Sequence, residues 1–352
     1  MNKPTLQSLI GKRVHFIGIG GAGMSGLARI SLSHGITVSG SDAKDSSVVK
    51  ALQALGATIS TTHAAANVDG ADLVVYSTAI STSNAELMRA QELKLMTLTR
   101  AAALSLLMSE SKSIAVAGTH GKTTTTSLIA HLLRCGGLDV TAFLGGLGVD
   151  ASSNLMMGSD QAMMVVEADE YDRSFHELQP EWAVVTSTDP DHLDVYGDAG
   201  AVLRSYRQFA QSAARLLVTR SGLDLQPMEG VRHLTYGSND GIYADQVAVS
   251  EGYLWFDYHG KTVIKDIPSM LPGQHNIENA LAAITIALEC GVAPESIAPA
   301  MADFKGIKRR FEYVARGKRR WLVDDYAHHP REIDALIRGL RLMHPNSRIL
   351  GL

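Results

Sequence analysis

The chain has 352 residues, enough for roughly two to three domains of ordinary size. Hydrophobic residues make up 45% and charged residues 19%, a globular balance that excludes a disordered chain. With 32 basic against 36 acidic residues the net charge is −4, which gives no electrostatic footprint for nucleic acid or for an anionic membrane surface.

The first predicted strand is Val14 to Ile19, followed by a glycine loop and a helix from about Met24. Thr37 and Val38 lead into Ser39-Gly40-Ser41-Asp42; Val48, Leu52 and Leu55 then lie at helical spacing, and Leu73 to Tyr76 is another short strand. Alternation of this kind implies a parallel sheet with helices on its faces. A second start comes at Ser113 to Ala117, whose following helix pairs Leu128 with Leu132 and Ile129 with Leu133 on one face. Strands are predicted at Ala162 to Val166 and Trp182 to Thr186. Leu254 to Tyr258 and Thr262 to Asp266 flank His259-Gly260-Lys261 as a β-hairpin, and a helix runs from about Asn276 to Glu289. After Gly306 come a strand at Trp321 to Asp324, a helix near Glu332 to Met343 and a second strand starting at Arg348.

The sequence therefore predicts an α/β protein in three parts. Residues 1–106 form a Rossmann-like domain. Residues 107–307 form a central P-loop domain with a parallel or mixed sheet and a small antiparallel part. Residues 308–352 begin a second Rossmann-like domain; an independent core needs about 100 residues, so the expectation is a piece of a longer protein. No run reaches the roughly 18 apolar residues of a membrane span. Two cysteines, Cys135 and Cys290, make no disulfide framework, so a cytoplasmic location is expected.

Gly18-Ile19-Gly20-Gly21-Ala22-Gly23 fits G-x-G-x-x-G between a strand and a helix, and Asp42 follows at about the offset of a ribose-binding acid. Glycines let the backbone approach a pyrophosphate, and the helix N-terminus offers free N–H groups. The motif leaves both a nicotinamide dinucleotide and a UDP-sugar open. Gly118-Thr119-His120-Gly121-Lys122-Thr123 is a second, shortened phosphate loop, because the usual first glycine would fall at Val116. Its backbone amides can cradle phosphates, Lys122 can neutralise the β and γ oxygens, and Thr123 can offer its hydroxyl to Mg²⁺.

Acidic runs follow two of the strands. Glu167, Asp169, Glu170 and Asp172 follow one; Asp189, Asp191, His192 and Asp194 follow the other. Ligands of open α/β sheets bind beyond the carboxyl ends of the strands, and carboxylates there repel ATP unless a cation such as Mg²⁺ intervenes. His192 is an odd ligand for Mg²⁺, which prefers oxygen.

Gly118-Thr-His-Gly-Lys-Thr-Thr-Thr resembles the ATP loop of the Mur ligases, which build the peptide of bacterial cell-wall precursors. Pro272-Gly-Gln-His-Asn-Ile-Glu-Asn-Ala, Lys308-Arg-Arg-Phe-Glu and Asp324-Asp-Tyr-Ala-His-His-Pro are similar to later motifs of that family, in the same order. His15-Phe-Ile-Gly-Ile-Gly-Gly-Ala-Gly-Met-Ser-Gly is most similar to the member that joins L-alanine to UDP-N-acetylmuramate, and the compact Glu167–Pro180 segment also favours it over a relative that attaches a recycled tripeptide.

The resemblance implies a residue for each task. Gly18, Ile19, Gly20, Gly21, Gly23, Met24, Ser41, Asp42, His63, Ser77, Thr78, Ala79 and Ile80 would hold the UDP-sugar. Gly118 to Thr124, that is Gly118, Thr119, His120, Gly121, Lys122, Thr123 and Thr124, would bind ATP with Asn276, Asn279, Arg310, Asp325 and His328. Thr123, Glu167 and His192 would hold the metal, and Lys122, Glu167, His192 and Arg310 would serve the chemistry. It further implies ATP and Mg²⁺, UDP-N-acetylmuramate and L-alanine as substrates, hinges near 100–112 and 306–316, and amino-acid recognition beyond Leu352. A nicotinamide dehydrogenase would leave Lys122 and Thr123 idle; a non-catalytic P-loop protein would leave the first loop unexplained.

Overall fold

The structure is a computed structural model that describes residues 4–146, 148–149, 153–171, 173–317 and 320–351. Asp172, one of the acids singled out above, lies outside them. Contacts divide the chain into two compact units, Met1–Lys112 with Glu177–Gln179, and Ser113–His176 with Pro180–Leu352.

The first unit is a sheet of β1 Arg13–Ile17, β2 Thr37–Ser41, β3 Thr58–Ser60, β4 Leu73–Tyr76 and β5 Met96–Thr99. Their order is β3-β2-β1-β4-β5 and every pairing is parallel. This is the strand order of doubly wound nucleotide-binding folds. Helices Ala22–Ser33, Ser47–Ala54, Ala85–Glu92 and Arg100–Met108 connect the strands. Three of them start on side-chain caps: Ser46 accepts from Val49 N–H, Asn84 from Glu86 and Leu87 N–H, and Thr99 from Ala102 N–H. The first strand ends at Ile17 rather than Ile19, because Gly18 turns the chain at φ +80°.

The second unit is built on β6 Ser113–Ala117, β7 Val140–Phe143, β8 Leu155–Met156, β9 Met163–Glu167, β10 Trp182–Val185, β11 Leu216–Arg220 and β12 Arg232–Tyr236. Their order is β12-β11-β10-β6-β9-β7-β8, antiparallel only between β7 and β8. β6 therefore lies inside the sheet, between the two strands that carry the acidic runs. β6 itself is buried along its whole length, as a strand covered on both faces requires.

Helices Lys122–Cys135 and Gln274–Glu289 pack against each other, and Leu128, Leu132, Ile284 and Ile286 share one core with the strands. The antiparallel part is β13 Tyr243–Ser250, β14 Tyr253–His259 and β15 Val263–Ser269. In β14, Leu254, Phe256 and Tyr258 are buried and alternate with half-buried neighbours, the period of a sheet with one face on the core.

The end of the chain departs from expectation. Trp321–Asp324 is a strand, β17, but it pairs antiparallel with β16 Glu312–Arg316 instead of opening a parallel sheet. The following helix, Pro330–Met343, sets Leu336 and Leu340 against the core of the second unit. The strand expected at Arg348 is absent among the described residues. Ile349 and Leu350 suggested it, yet Leu350 is 74% exposed and no strand among the described residues pairs with this segment. No helix of the described residues is long and apolar enough to cross a membrane.

Candidate functional site

In the first unit the glycine loop is fastened to the carboxyl end of β2. Gly18 and Ile19 N–H donate to Ser41 O at 2.8 and 3.0 Å, and Gly21 N–H donates to Gly18 O at 3.2 Å. The Asp42 carboxylate accepts from Gly20 N–H and Lys44 N–H, both at 2.9 Å. A Cβ at Gly20 would sit 2.8 Å from that carboxylate and 3.1 Å from Val49 Cγ2, so a side chain there would displace Asp42 from the loop. Ile80 packs over Gly18, and Met24 is buried at the helix start. Ser77, Thr78, Ala79 and Ile80 form one turn after β4, closed by Ile80 N–H on Ser77 O at 2.9 Å. His63, after β3, contacts the Ser41 hydroxyl through Nδ1 at 2.9 Å.

One basic residue in this region escaped sequence reasoning. Arg100 begins the helix after β5, and its Cδ and guanidinium lie over Gly23, 2.9 and 3.2 Å from where a Cβ would be. Nothing in the local sequence marks it, because only the fold brings the start of the helix after β5 beside Gly23.

In the second unit the phosphate loop runs from β6 into the Lys122–Cys135 helix through Gly118 at φ +140° and Gly121 at φ +83°. Lys122 Nζ donates to its own loop at Gly118 O, 2.7 Å, and to Glu170 Oε1, 2.8 Å. Glu170 is 4% exposed, and its Oε2 has no hydrogen-bond partner. Thr123 Oγ1 donates to Glu167 Oε1 at 3.1 Å, while Gly145 N–H donates to Glu167 Oε2 at 3.0 Å. Burial pushes the Glu167 carboxyl above its usual range, against the pull of Lys122 and Arg310. A hydroxyl beside a carboxylate is an oxygen donor set suited to a hard divalent cation. His192 stands apart in character: it takes a left-handed backbone at φ +52° and packs edge-on against Tyr171, with Nε2 3.7 Å from Asp191.

Beside the loop is a cavity of about 400 Å³ lined by His120, Gly121, Thr123, Thr124, Asn276, Asn279, Arg310 and Asp325, among others. Asn276 and Asn279 lie on one helix face, as their spacing requires, but much of their capacity is spent within the protein. Asn276 Nδ2 donates to Pro272 O at 2.9 Å, and Asn279 Oδ1 accepts from Thr125 Oγ1 at 3.2 Å. Asn279 also closes on the phosphate loop, since a Cβ at Gly121 would come 2.5 Å from its Oδ1. Asp325 accepts from Phe311 N–H at 2.7 Å and Ala327 N–H at 2.8 Å, so its carboxylate shapes the turn before the last helix.

Thr119 Oγ1 donates to Asp189 O at 2.7 Å and so ties the loop to the segment after β10. His120 joins the loop to Glu332, Nδ1 to Oε1 at 3.1 Å. Burial would raise the Glu332 carboxyl, but N–H donors from His328 and His329, with the His120 charge, bring it below its usual range. His328 itself is 70% exposed on its side chain and lies outside the cavity lining. The cavity also holds residues to which motif reading gave no role: His275, and an Arg220–Glu278 pair at 2.7 Å.

A strand order of doubly wound type with a glycine-rich diphosphate loop, and a second unit with a phosphate loop, define a nucleotide-handling α/β protein. The chain belongs to the Mur ligase family. Residues 13–112 match the Mur ligase family catalytic domain, 116–287 the Mur ligase middle domain, and 309–352 the Mur ligase glutamate ligase domain. A UDP-N-acetylmuramate--L-alanine ligase from Renibacterium salmoninarum is 43% identical, over 97% of this chain and 75% of that protein. The crystal structure of a UDP-N-acetylmuramate-alanine ligase from Thermotoga maritima is similar with TM-score 0.74 and 28% identity, covering 95% of this chain and 79% of that one. That of a UDP-N-acetylmuramate:L-alanyl-gamma-D-glutamyl-meso-diaminopimelate ligase from Neisseria meningitides has TM-score 0.75 and 29% identity, over 85% of this chain and 99% of that one.

Proposed function

We propose that this chain catalyses the ATP-dependent joining of L-alanine to the carboxylate of UDP-N-acetylmuramate, a cytoplasmic step of cell-wall precursor synthesis. The observation that carries the reading is the presence in one chain of two phosphate-binding loops of different type, the second backed by the Thr123–Glu167 pair. The choice of L-alanine rests on the relatives named above.

In this reading the sugar carboxylate attacks the γ-phosphorus of ATP, ADP leaves, and an acyl phosphate forms. The amine of alanine then attacks the acyl carbon, and phosphate departs as the amide forms. The first step brings two anions together, so charge neutralisation is the main demand. Lys122 meets the β and γ oxygens, and Arg310 adds a second positive charge from the cavity wall. Thr123 and Glu167 would hold Mg²⁺, with His192 assigned to the same metal centre by family resemblance; when bound, the ion would offset phosphate charge. Asn276 and Asn279 face the adenine, and Asp325 and His328 belong to the segment that lies against the nucleotide. In the first unit the glycine loop, Ser41, Asp42, His63 and Ser77 to Ile80 hold the UDP-sugar. No side chain need form a covalent intermediate.

Phosphate release by the purified protein tests this directly, with UDP-N-acetylmuramate and either L-alanine, glycine, L-serine or the tripeptide supplied in turn. The expected result is release that requires the nucleotide sugar and is fastest with L-alanine. Release that ignores the nucleotide sugar, or NAD(H) recovered from the denatured protein, overturns the ligase reading; fastest turnover with the tripeptide overturns the choice of alanine.

Arg100 gives a narrower expectation. Its guanidinium over Gly23 is placed to meet a diphosphate at the helix N-terminus. Arg100→Ala is expected to raise KM for the nucleotide sugar about 10- to 100-fold while KM for ATP stays within about twofold, since a charged hydrogen bond contributes about 1.5–3 kcal/mol. Steady-state kinetics with each substrate varied separately checks it; an unchanged sugar KM counts against the assignment.

A further inference from the structure

The face of β1 and β2 that carries the Ala85–Glu92 helix holds a file of polar side chains. In the parallel register His15 stands opposite Ser39, and Ile17 opposite Ser41. Alternation places Arg13, His15, Ser39 and Ser41 on one side of the sheet, where an apolar core is the ordinary filling. His15, Ser39 and Ser41 are each at most 3% exposed, and Glu86 from the helix is fully buried against them. A buried carboxylate is costly unless its oxygens are satisfied. Here both are: His15 Nε2 at 3.3 Å and Asn67 Nδ2 at 2.7 Å meet Oε1, while Ser41 Oγ at 2.6 Å and His63 Nδ1 at 2.7 Å meet Oε2.

The proton positions follow from the donors. Arg13 Nε donates to Ser39 Oγ at 3.0 Å, which leaves the Ser39 hydroxyl proton for His15 Nδ1 at 3.0 Å. His15 then carries its own proton on Nε2 and gives it to Glu86. At the other end Ser41 donates to Glu86, so His63 must also approach that oxygen as a donor, through Nδ1–H. Burial alone would raise the Glu86 carboxyl, but the bonds from His15, Ser41, Asn67 and His63 win and bring it to about 2. It is a carboxylate at neutral pH and accepts every bond it makes.

The file reaches the carboxyl edge of the sheet at two points. Ser41 holds the glycine loop through its carbonyl while its hydroxyl goes to Glu86. His63 keeps 28% of its side chain exposed, and Asn67 fixes the segment before it by donating to Thr62 O at 2.8 Å.

We propose that Glu86 is a positioning residue for the nucleotide-sugar site: it fixes the His63 ring with its proton on Nδ1, turns the Ser41 hydroxyl inward, and thereby presents His63 Nε2 to the bound nucleotide. This rests on the functional reading above, which places Ser41 and His63 at that ligand. Glu86 need not touch the ligand, so its removal acts on ligand binding through the His63 ring.

Two measurements test it. Nitrogen-15 spectra of the histidine side chains, at pH 8 without ligand, are expected to show His63 protonated on Nδ1; a neutral Nε2–H ring overturns the proposal without any variant. Glu86→Gln, which keeps the shape but introduces an amide donor among four donors, is expected to raise KM for UDP-N-acetylmuramate about tenfold with kcat and KM for ATP within about twofold. On a His63→Ala background the same change is expected to cost less than about twofold more, since its effect passes through His63. An equal loss on both backgrounds, or a general loss of kcat, marks Glu86 as structural only and overturns the proposal. A wild-type protein that does not bind the nucleotide sugar in calorimetry overturns the functional reading and the ligand named here, while the spectra still decide whether Glu86 sets the ring.

Discussion

Lys122→Ala lowers kcat by about 10³-fold or more, with nucleotide-sugar binding held within about twofold. The ammonium is the only side-chain cation that begins the phosphate-loop helix, and phosphoryl transfer offers the protein little to do beyond placing charge. A control is needed because the residue has a second task. Its loss leaves Glu170 buried without a counter-charge, which costs on the order of 3–5 kcal/mol when one partner of a buried pair is removed. The double variant Lys122→Ala, Glu170→Gln removes that penalty, so it recovers thermal stability but not turnover. Single-turnover phosphate release together with melting curves separates the two. A double variant that regains wild-type turnover would show that Lys122 acts only in folding.

Glu167→Gln is expected to lower kcat by about 10²–10³-fold and to abolish the response to added Mg²⁺ below millimolar levels. The amide preserves volume and can still accept one of the two bonds that Thr123 Oγ1 and Gly145 N–H now donate. It cannot supply the anionic oxygen that a hard cation demands. Gly145 keeps the backbone tight on this carboxylate, since a Cβ there would come 2.1 Å from Oε2. A Mg²⁺ titration of phosphate release reads the effect. Activity within about tenfold of wild type, with the same Mg²⁺ dependence, would remove Glu167 from the metal assignment.

The two loops were readable in sequence because their chemistry is local: glycines, a lysine and a hydroxyl at the junction of an apolar strand and a helix. The same locality explains why β6, ending at Ala117, was placed to the residue, and why the pair Asn276 and Asn279 was put on one face. What remained hidden depends on pairings between distant segments. Glu86 looks like an ordinary acid in the first turn of a helix, and only the sheet brings it to His15, 71 positions earlier. Glu170 was one of several acids in a row until the fold buried it on Lys122. Asp325 and Asn279 show the converse. Their side chains were legible, but their bonds to backbone and to Thr125 were not. The misplaced strand at Arg348 failed for a similar reason, because a run of apolar residues says nothing about whether a neighbour stands ready to pair with it.

The bond from Lys122 Nζ to Gly118 O ties the ammonium to a carbonyl of its own loop. Any incoming anion gains only the difference between its bonds and those the ammonium surrenders. A lone phosphate, with few other contacts, is poorly placed to win that exchange, whereas a triphosphate anchored at its base and sugar can. Occupancy of this loop is therefore expected to depend on the contacts a ligand makes beyond its phosphates.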